Sequence, residues 1–171
     1  MKCPARELLA RQPERLVIAG YRNMMAAYDL ADASCWEAVW SQFIAELGAP
    51  SARRTVGELQ YWARSIRANA VRPLSFFPNC CLQLCHDECM ALSMIAAGQA
   101  SDEEAGLMAA AFVTGSTDGS RLQDVWQAAA YLAAALRAAD QLLYPVPCAV
   151  IRSIHLMQQV RQTPFINRTL N

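Results

Sequence analysis

The chain has 171 residues, with 15 Lys and Arg balanced by 15 Asp and Glu, so its formal net charge is zero. That balance argues against a general nucleic-acid binder, which needs excess basic side chains to neutralise phosphates. A hydrophobic content of 54% excludes a disordered chain, and the length suits one domain with its own core.

Pro13 suits the first turn of a helix, where its missing N–H costs nothing. Val17, Gly20, Tyr21, Met24 and Tyr28 then share one face at helical spacing. Ser34-Cys35-Trp36-Glu37 reads as a capping box, in which the hydroxyl and the carboxylate each satisfy a free backbone N–H. It opens a helix with Trp36, Val39, Trp40, Phe43, Ile44 and Leu47 on one stripe, closed by Gly48 and Pro50. Thr55-Val56-Gly57-Glu58 reads as a second box. Behind it Val56, Leu59, Ala63, Ile66 and Ala70 make a stripe beside Trp62, and Pro73 stops the helix.

Residues 74–81 form an irregular connector. A helix is expected from near Asp87 to about residue 97, its opening acids matched to the positive end of the helix dipole and Gly98 at its end. Ser101-Asp102-Glu103-Glu104 reads as a third capping box, opening a short helix with Leu107, Met108, Ala111 and Phe112 inward. Residues 115–119 read as a turn. Leu122, Val125, Trp126, Ala129, Leu132, Ala133, Leu136 and Leu143 then mark a long helix, broken at Tyr144-Pro145-Val146-Pro147. A last helix over about 148–162 carries Val150, Ile154 and Met157. No strand-like alternation, repeat or linker appears. The expectation is all-α: one bundle of six or seven helices over residues 1–162, with a loose tail at 163–171. Trp36, Trp40, Phe43, Trp62, Ile66, Trp126 and Leu136 are its expected core.

No apolar run of signal-peptide length follows Lys2, and residues 125–144, the longest apolar candidate, are interrupted by Gln127, Arg137, Asp140 and Gln141. The expectation is therefore a cytoplasmic chain without a membrane span. Seven cysteines, an odd number, then read as reduced thiols rather than a disulfide framework. Charge is uneven: Arg53, Arg54, Arg64, Arg67 and Arg72 precede a run of acids from Asp87 to Asp124. Two complementary solvated surfaces explain this more simply than an anion-binding helix.

Several chemistries are absent. Gln83 and Arg152 stand three residues before His86 and His155, so no Glu-x-x-His di-iron pattern exists. There is no His-Glu-x-x-His, no phosphate loop and no nucleophile elbow. His155 lies beside an apolar stripe and reads as a hydrogen-bonded structural histidine.

The unusual segment is 78–89, Pro-Asn-Cys-Cys-Leu-Gln-Leu-Cys-His-Asp-Glu-Cys. Four readings compete. Cys85, Cys89, Leu92 and Ala96 share a helical face, so the cysteines can be small core residues. Cys81, Cys85, His86 and Cys89 can instead be ligands of a zinc ion, which takes four S or N donors in a tetrahedron. Cys85, just ahead of the expected helix and downstream of Arg72, can be a reactive thiolate, and Cys80 and Cys81 of the Pro-broken connector can be reactive or resolving thiols. Cys81-Leu-Gln-Leu-Cys85-His86 is one residue longer than the haem-attachment motif, the weakest of the four matches.

Arg72-Pro73-Leu74 after a Trp- and Arg-rich helix, then Pro78-x-Cys80-Cys81 and the Asp87-Glu88 helix start, resemble a family of small helical bacterial proteins known only as a domain of unknown function. The similarity spans roughly residues 15–140. Cys85, His86, Cys89 and the segment after Tyr144 depart from it. The resemblance implies an all-helical fold and brings no activity, cofactor or catalytic residue. Without an assembled acid, base and nucleophile, the sequence favours a non-enzymatic interaction or regulatory protein, with a homodimer as the expected assembly. Phe165, Ile166 and Leu170 offer it apolar contacts. The identity of any small-molecule ligand is left open. The alternative is a metal-binding or thiol-redox protein built on the 80–89 cluster.

Overall fold

Periodic apolar faces become eight helices in the computed structural model, which describes residues 4–162: α1 (Pro4–Ala10), α2 (Gln12–Leu30), α3 (Ala33–Leu47), α4 (Ala49–Asn69), α5 (His86–Ala100), α6 (Glu103–Thr114), α7 (Gly119–Ala138) and α8 (Cys148–Gln162). The all-α class is as expected. The number of helices exceeds the expected six or seven because α1, too short for a clear periodicity, packs on α2 and buries Leu9. The expected tail at 163–171 lies outside the described residues.

Helix α5 is the centre. It packs against α2, α6, α7 and α8, and is buried from Met90 to Ala97. A helix surrounded by others is apolar all round and shows no amphipathic stripe. Its close contact with α7 needs Gly98, where a Cβ would stand 2.7 Å from the Cβ of Ala133. Gly98 therefore lies inside the helix and does not end it. The end comes at Ser101, in the left-handed conformation at φ 57°.

The expected caps move by a few residues. Asp32, not Ser34, caps α3, accepting from the Ser34 N–H at 2.8 Å. Gly48 ends α3, but Pro50 opens α4 instead of closing its predecessor. Helix α4 runs through the expected box at Thr55, whose hydroxyl donates back to the Ser51 carbonyl at 2.8 Å. Asp102, not Ser101, caps α6 through the Ala105 N–H. In each case a carboxylate or a proline within five residues upstream or downstream supplied a better start.

The expected core needs correction at Trp36 and Trp40, and the expected inward faces at several further positions. Phe43, Trp62, Ile66 and Leu136 are buried and Trp126 is 8% exposed, but Trp40 is 38% exposed and Ile44 45%. Only Val39 and Phe43 of the α3 stripe are buried, because α3 touches α2 and α4 along a narrow seam. Trp36 is half-buried, edge-on to Tyr28 at 5.3 Å. On α6 the buried face is Ala105, Gly106, Ala109, Ala110 and Val113, which leaves Phe112 half-buried. Helix α7 ends at Ala138, ahead of the expected break, and Asp140 turns the chain at φ 57°. Leu143 thus lies in the following segment. On α8, Ile151 is buried while Val150 and Met157 are exposed.

That segment is tied down before α8 begins. The Gln99 amide donates to the Gln141 carbonyl at 2.7 Å and accepts from the Leu143 N–H at 2.9 Å. Buried Glu14 accepts from the Tyr144 N–H at 2.8 Å. Helix α8 is thereby directed back across α5 and α6. Among the described residues, no helix is long and apolar enough to cross a membrane.

Candidate functional site

Residues 70–85 have no helix, so their backbone groups need other partners. Two arginines supply them. Arg22 lies inside α2 and is 3% exposed. Its Nε and Nη2 donate to Glu88 at 2.7 and 3.1 Å, and its remaining N–H groups go to the carbonyls of Pro78, Cys81 and Gln83 at 3.1, 2.8 and 2.7 Å. All five donors of the guanidinium are used. Glu88, fully buried, also accepts from the N–H groups of Phe77 and Cys85 at 2.8 and 2.9 Å. The second of these forms the capping box that starts α5, with Cys85 as its N-cap.

Arg72 makes the second clamp. Its two terminal nitrogens grip Asp87 at 3.0 and 2.6 Å, and also reach the carbonyls of Pro73 and Phe112. Asp87 accepts from the Ser75 N–H at 2.8 Å. Burial pushes the Asp87 carboxyl up, but the hydrogen bonds from His86, Arg72 and Ser75 outweigh it and hold the group below the usual carboxylate range.

A cleft of about 890 Å³ opens beside this clamp, between the connector, the start of α5, the end of α6 and α8. His86 faces it from the first position of α5. Its Nδ1 lies 3.0 Å from Asp87 Oδ1, and its Nε2 lies 3.1 Å from His155 Nδ1 on α8. His155 Nε2 in turn lies 3.0 Å from the Gln159 amide nitrogen. One set of tautomers satisfies the row: His86 Nδ1–H donates to Asp87, His155 Nδ1–H donates to His86 Nε2, and Gln159 donates to His155 Nε2. The Phe112 ring stacks on His155 at 3.8 Å, with 1° between the planes. Burial, His86 and Arg72 lower the His155 pKa, which favours the neutral ring.

The sequence-derived site residues are only partly brought together. Cys80 is exposed at the turn of the connector, and Cys81 is half-buried there, its carbonyl rather than its thiol engaged by Arg22. Cys81 is thus outside the helical register of Cys85 and Cys89. The Cys85 thiol donates to the Ser75 carbonyl at 3.3 Å, and Cys89 packs against the core. Among the described residues, no three His, Cys, Asp or Glu side chains group as a metal cage. All six described cysteines, Cys35, Cys80, Cys81, Cys85, Cys89 and Cys148, are free.

Sequence reading missed the pairing of His86 with His155, because the residues are 69 apart and on different helices. It also missed Arg22. A signal was present: Arg22 lies between Ile18 and Met25 on an apolar face, where an arginine must find a partner.

No family model, curated protein or solved structure matches the chain.

Burial pushes the Cys85 thiol up to about 12, against hydrogen bonds from the Glu88 and Asp87 backbone that lower it, and burial beside the Glu88 and Asp87 charges pushes the Cys89 thiol up to about 11. Thiolate is the reactive form, so both should resist alkylation at neutral pH. Limited treatment of native protein with iodoacetamide, read by peptide mass spectrometry, should label exposed Cys80 first and leave Cys85 and Cys89 unmodified. Early labelling of Cys89 would contradict the packing around it.

Proposed function

We propose that this chain is a non-catalytic, regulatory interaction protein that pairs with a second copy through α8 and holds a ligand in the cleft beneath that helix. The observation that carries this reading is that α8 is apolar on two sides. Its inner side places Ile151, Ile154 and His155 against the bundle. Its outer side presents Val150, Leu156, Met157 and Val160, which are 45%, 59%, 61% and 75% exposed. Together with Ala149 and Ser153, these residues recur at helical spacing and leave the stripe without a charge. A two-fold interface must complement itself, and an uncharged apolar stripe does so without any pairing of unlike charges. The flanking Arg152 is held by Glu104 at 3.6 Å.

The cleft supports the second half of the reading. It combines apolar walls with a few convergent polar groups, as ligand sites do. The thiols on its wall are held protonated and its carboxylate is clamped, so the site is built for binding more than for nucleophilic attack. Free thiols fit a cytoplasmic setting.

Light scattering tests the interface. The wild-type chain should run as a dimer at micromolar concentration. Leu156→Glu with Val160→Glu should yield a monomer of unchanged helicity, since neither side chain contributes to the buried core. A wild-type chain that stays monomeric at the highest attainable concentration overturns the self-pairing.

A further inference from the structure

We propose that His86 and His155 form a two-imidazole site for a divalent transition-metal ion, zinc, nickel or copper, open to the cleft. This deepens the ligand half of the reading above and rests on it. Imidazole nitrogen suits all three ions. His86 Nε2 and His155 Nδ1 stand 3.1 Å apart. Two nitrogens on a tetrahedral ion, each bonded at about 2.0–2.1 Å, stand about 3.3–3.4 Å apart. The nitrogens therefore need to part by only about 0.3 Å to admit an ion, with each ring turning so that its lone pair converges on the ion instead of pointing along the hydrogen bond.

The outer nitrogens are already supported. A metal-bound histidine keeps its ring oriented by donating the other N–H to a carboxylate or similar acceptor. Asp87 Oδ1 fills that place behind His86, and the Gln159 amide stands at the same distance, 3.0 Å, behind His155. Turning the amide presents oxygen instead of nitrogen with little movement of heavy atoms. Protons balance: the single N–H of neutral His155 moves from Nδ1 to Nε2, and none is lost. Phe112, parallel to His155, fixes the plane of that ring.

Of the other donors near the pair, Asp87 is gripped by Arg72, Glu88 by Arg22, the Cys85 thiol donates to Ser75, and Cys89 is packed against the core. The protein thus offers two nitrogens, and the remaining positions face the cleft, where water or a small donor ligand completes them. The ion would also join α5 to α8, elements otherwise linked through the inner face of α8.

The experiment titrates zinc and cobalt(II) into the full chain, with elemental analysis after dialysis, the visible spectrum of bound cobalt and the melting temperature as readouts. One equivalent should bind, zinc should raise the melting temperature, and His155→Ala should remove both effects while keeping the far-UV circular dichroism of the wild type. Cys80→Ser with Cys81→Ser should bind as the wild type does. Absence of bound metal, binding that survives His155→Ala, or binding lost in the cysteine variant overturns the site. Ligand-observed NMR with a fragment set separates the two readings. A fragment in the cleft of a chain that binds no metal removes the ion and keeps the cleft as a ligand site, whereas a chain that binds neither removes both.

Discussion

Glu88→Ala should lower the unfolding free energy by about 3–5 kcal/mol, the range for removing one partner of a buried ion pair. A domain of this size is stable by about 5–15 kcal/mol in total, so the variant should sit near the edge of folding at room temperature. The cause is the charge left behind. Arg22 is 3% exposed and would lose its carboxylate partner, and the Phe77 and Cys85 N–H groups would lose their acceptor. The capping box of α5 disappears with them. Arg22→Met should cost a comparable amount, because it strands Glu88 and three connector carbonyls. Urea denaturation checks both, with the midpoint falling at an unchanged slope. A loss below about 1 kcal/mol would show that the pair is worth no more than a surface bridge.

Gly106→Ala should destabilise the fold although it improves helix propensity. Alanine in a helix interior gains up to about 1 kcal/mol over glycine. At Gly106 that gain is outweighed, because the new Cβ would stand 2.7 Å or less from three carbons of the six-membered ring of Trp126. Trp126 is 8% exposed, so its ring cannot move aside without repacking. Overpacking of this kind costs about 1–3 kcal/mol, and a bulkier residue costs more. Thermal unfolding of Gly106→Ala beside Gly57→Ala separates the effects, since nothing stands near a Cβ at Gly57. The first should melt below the wild type and the second at or above it. Equal melting temperatures would mean that the Trp126 ring yields freely.

Helix positions were the legible part of the fold, because burial on one side leaves a periodic trace. The trace is strong on α4, where Val56, Leu59, Ala63 and Ile66 are buried as their spacing implies. It is weaker on α5, which lies where a helix is expected but is surrounded on all sides, and Gly98 there lies inside the helix instead of ending it. Trp40 and Ile44 show the opposite error: an apolar stripe on α3 that the bundle does not fully cover. The site was half legible. His86 and the cysteines stood out by local density. His155 and Phe112 could not, because each acquires its role by meeting a residue far along the chain, and Arg22 showed only as an arginine on an apolar face. Asp87 and Glu88 were read as acids placed for a helix dipole, but their burial and arginine partners depend on where α2 and the connector pack.

The Arg22 guanidinium also limits how the chain can change in length. Its five N–H groups bind carbonyls at positions 78, 81 and 83 and the carboxylate at 88, so the spacing between these points is set by one rigid planar group. Irregular segments usually accept insertions and open early in hydrogen exchange. This one should do neither, because an added residue would leave a buried carbonyl or a buried charge without its partner. Lysine at position 22 would not serve either, having three donors where five are used. In tolerance to insertion, the connector belongs with the core helices, and exposed Thr117 and Asp118 mark the more permissive place to lengthen the chain.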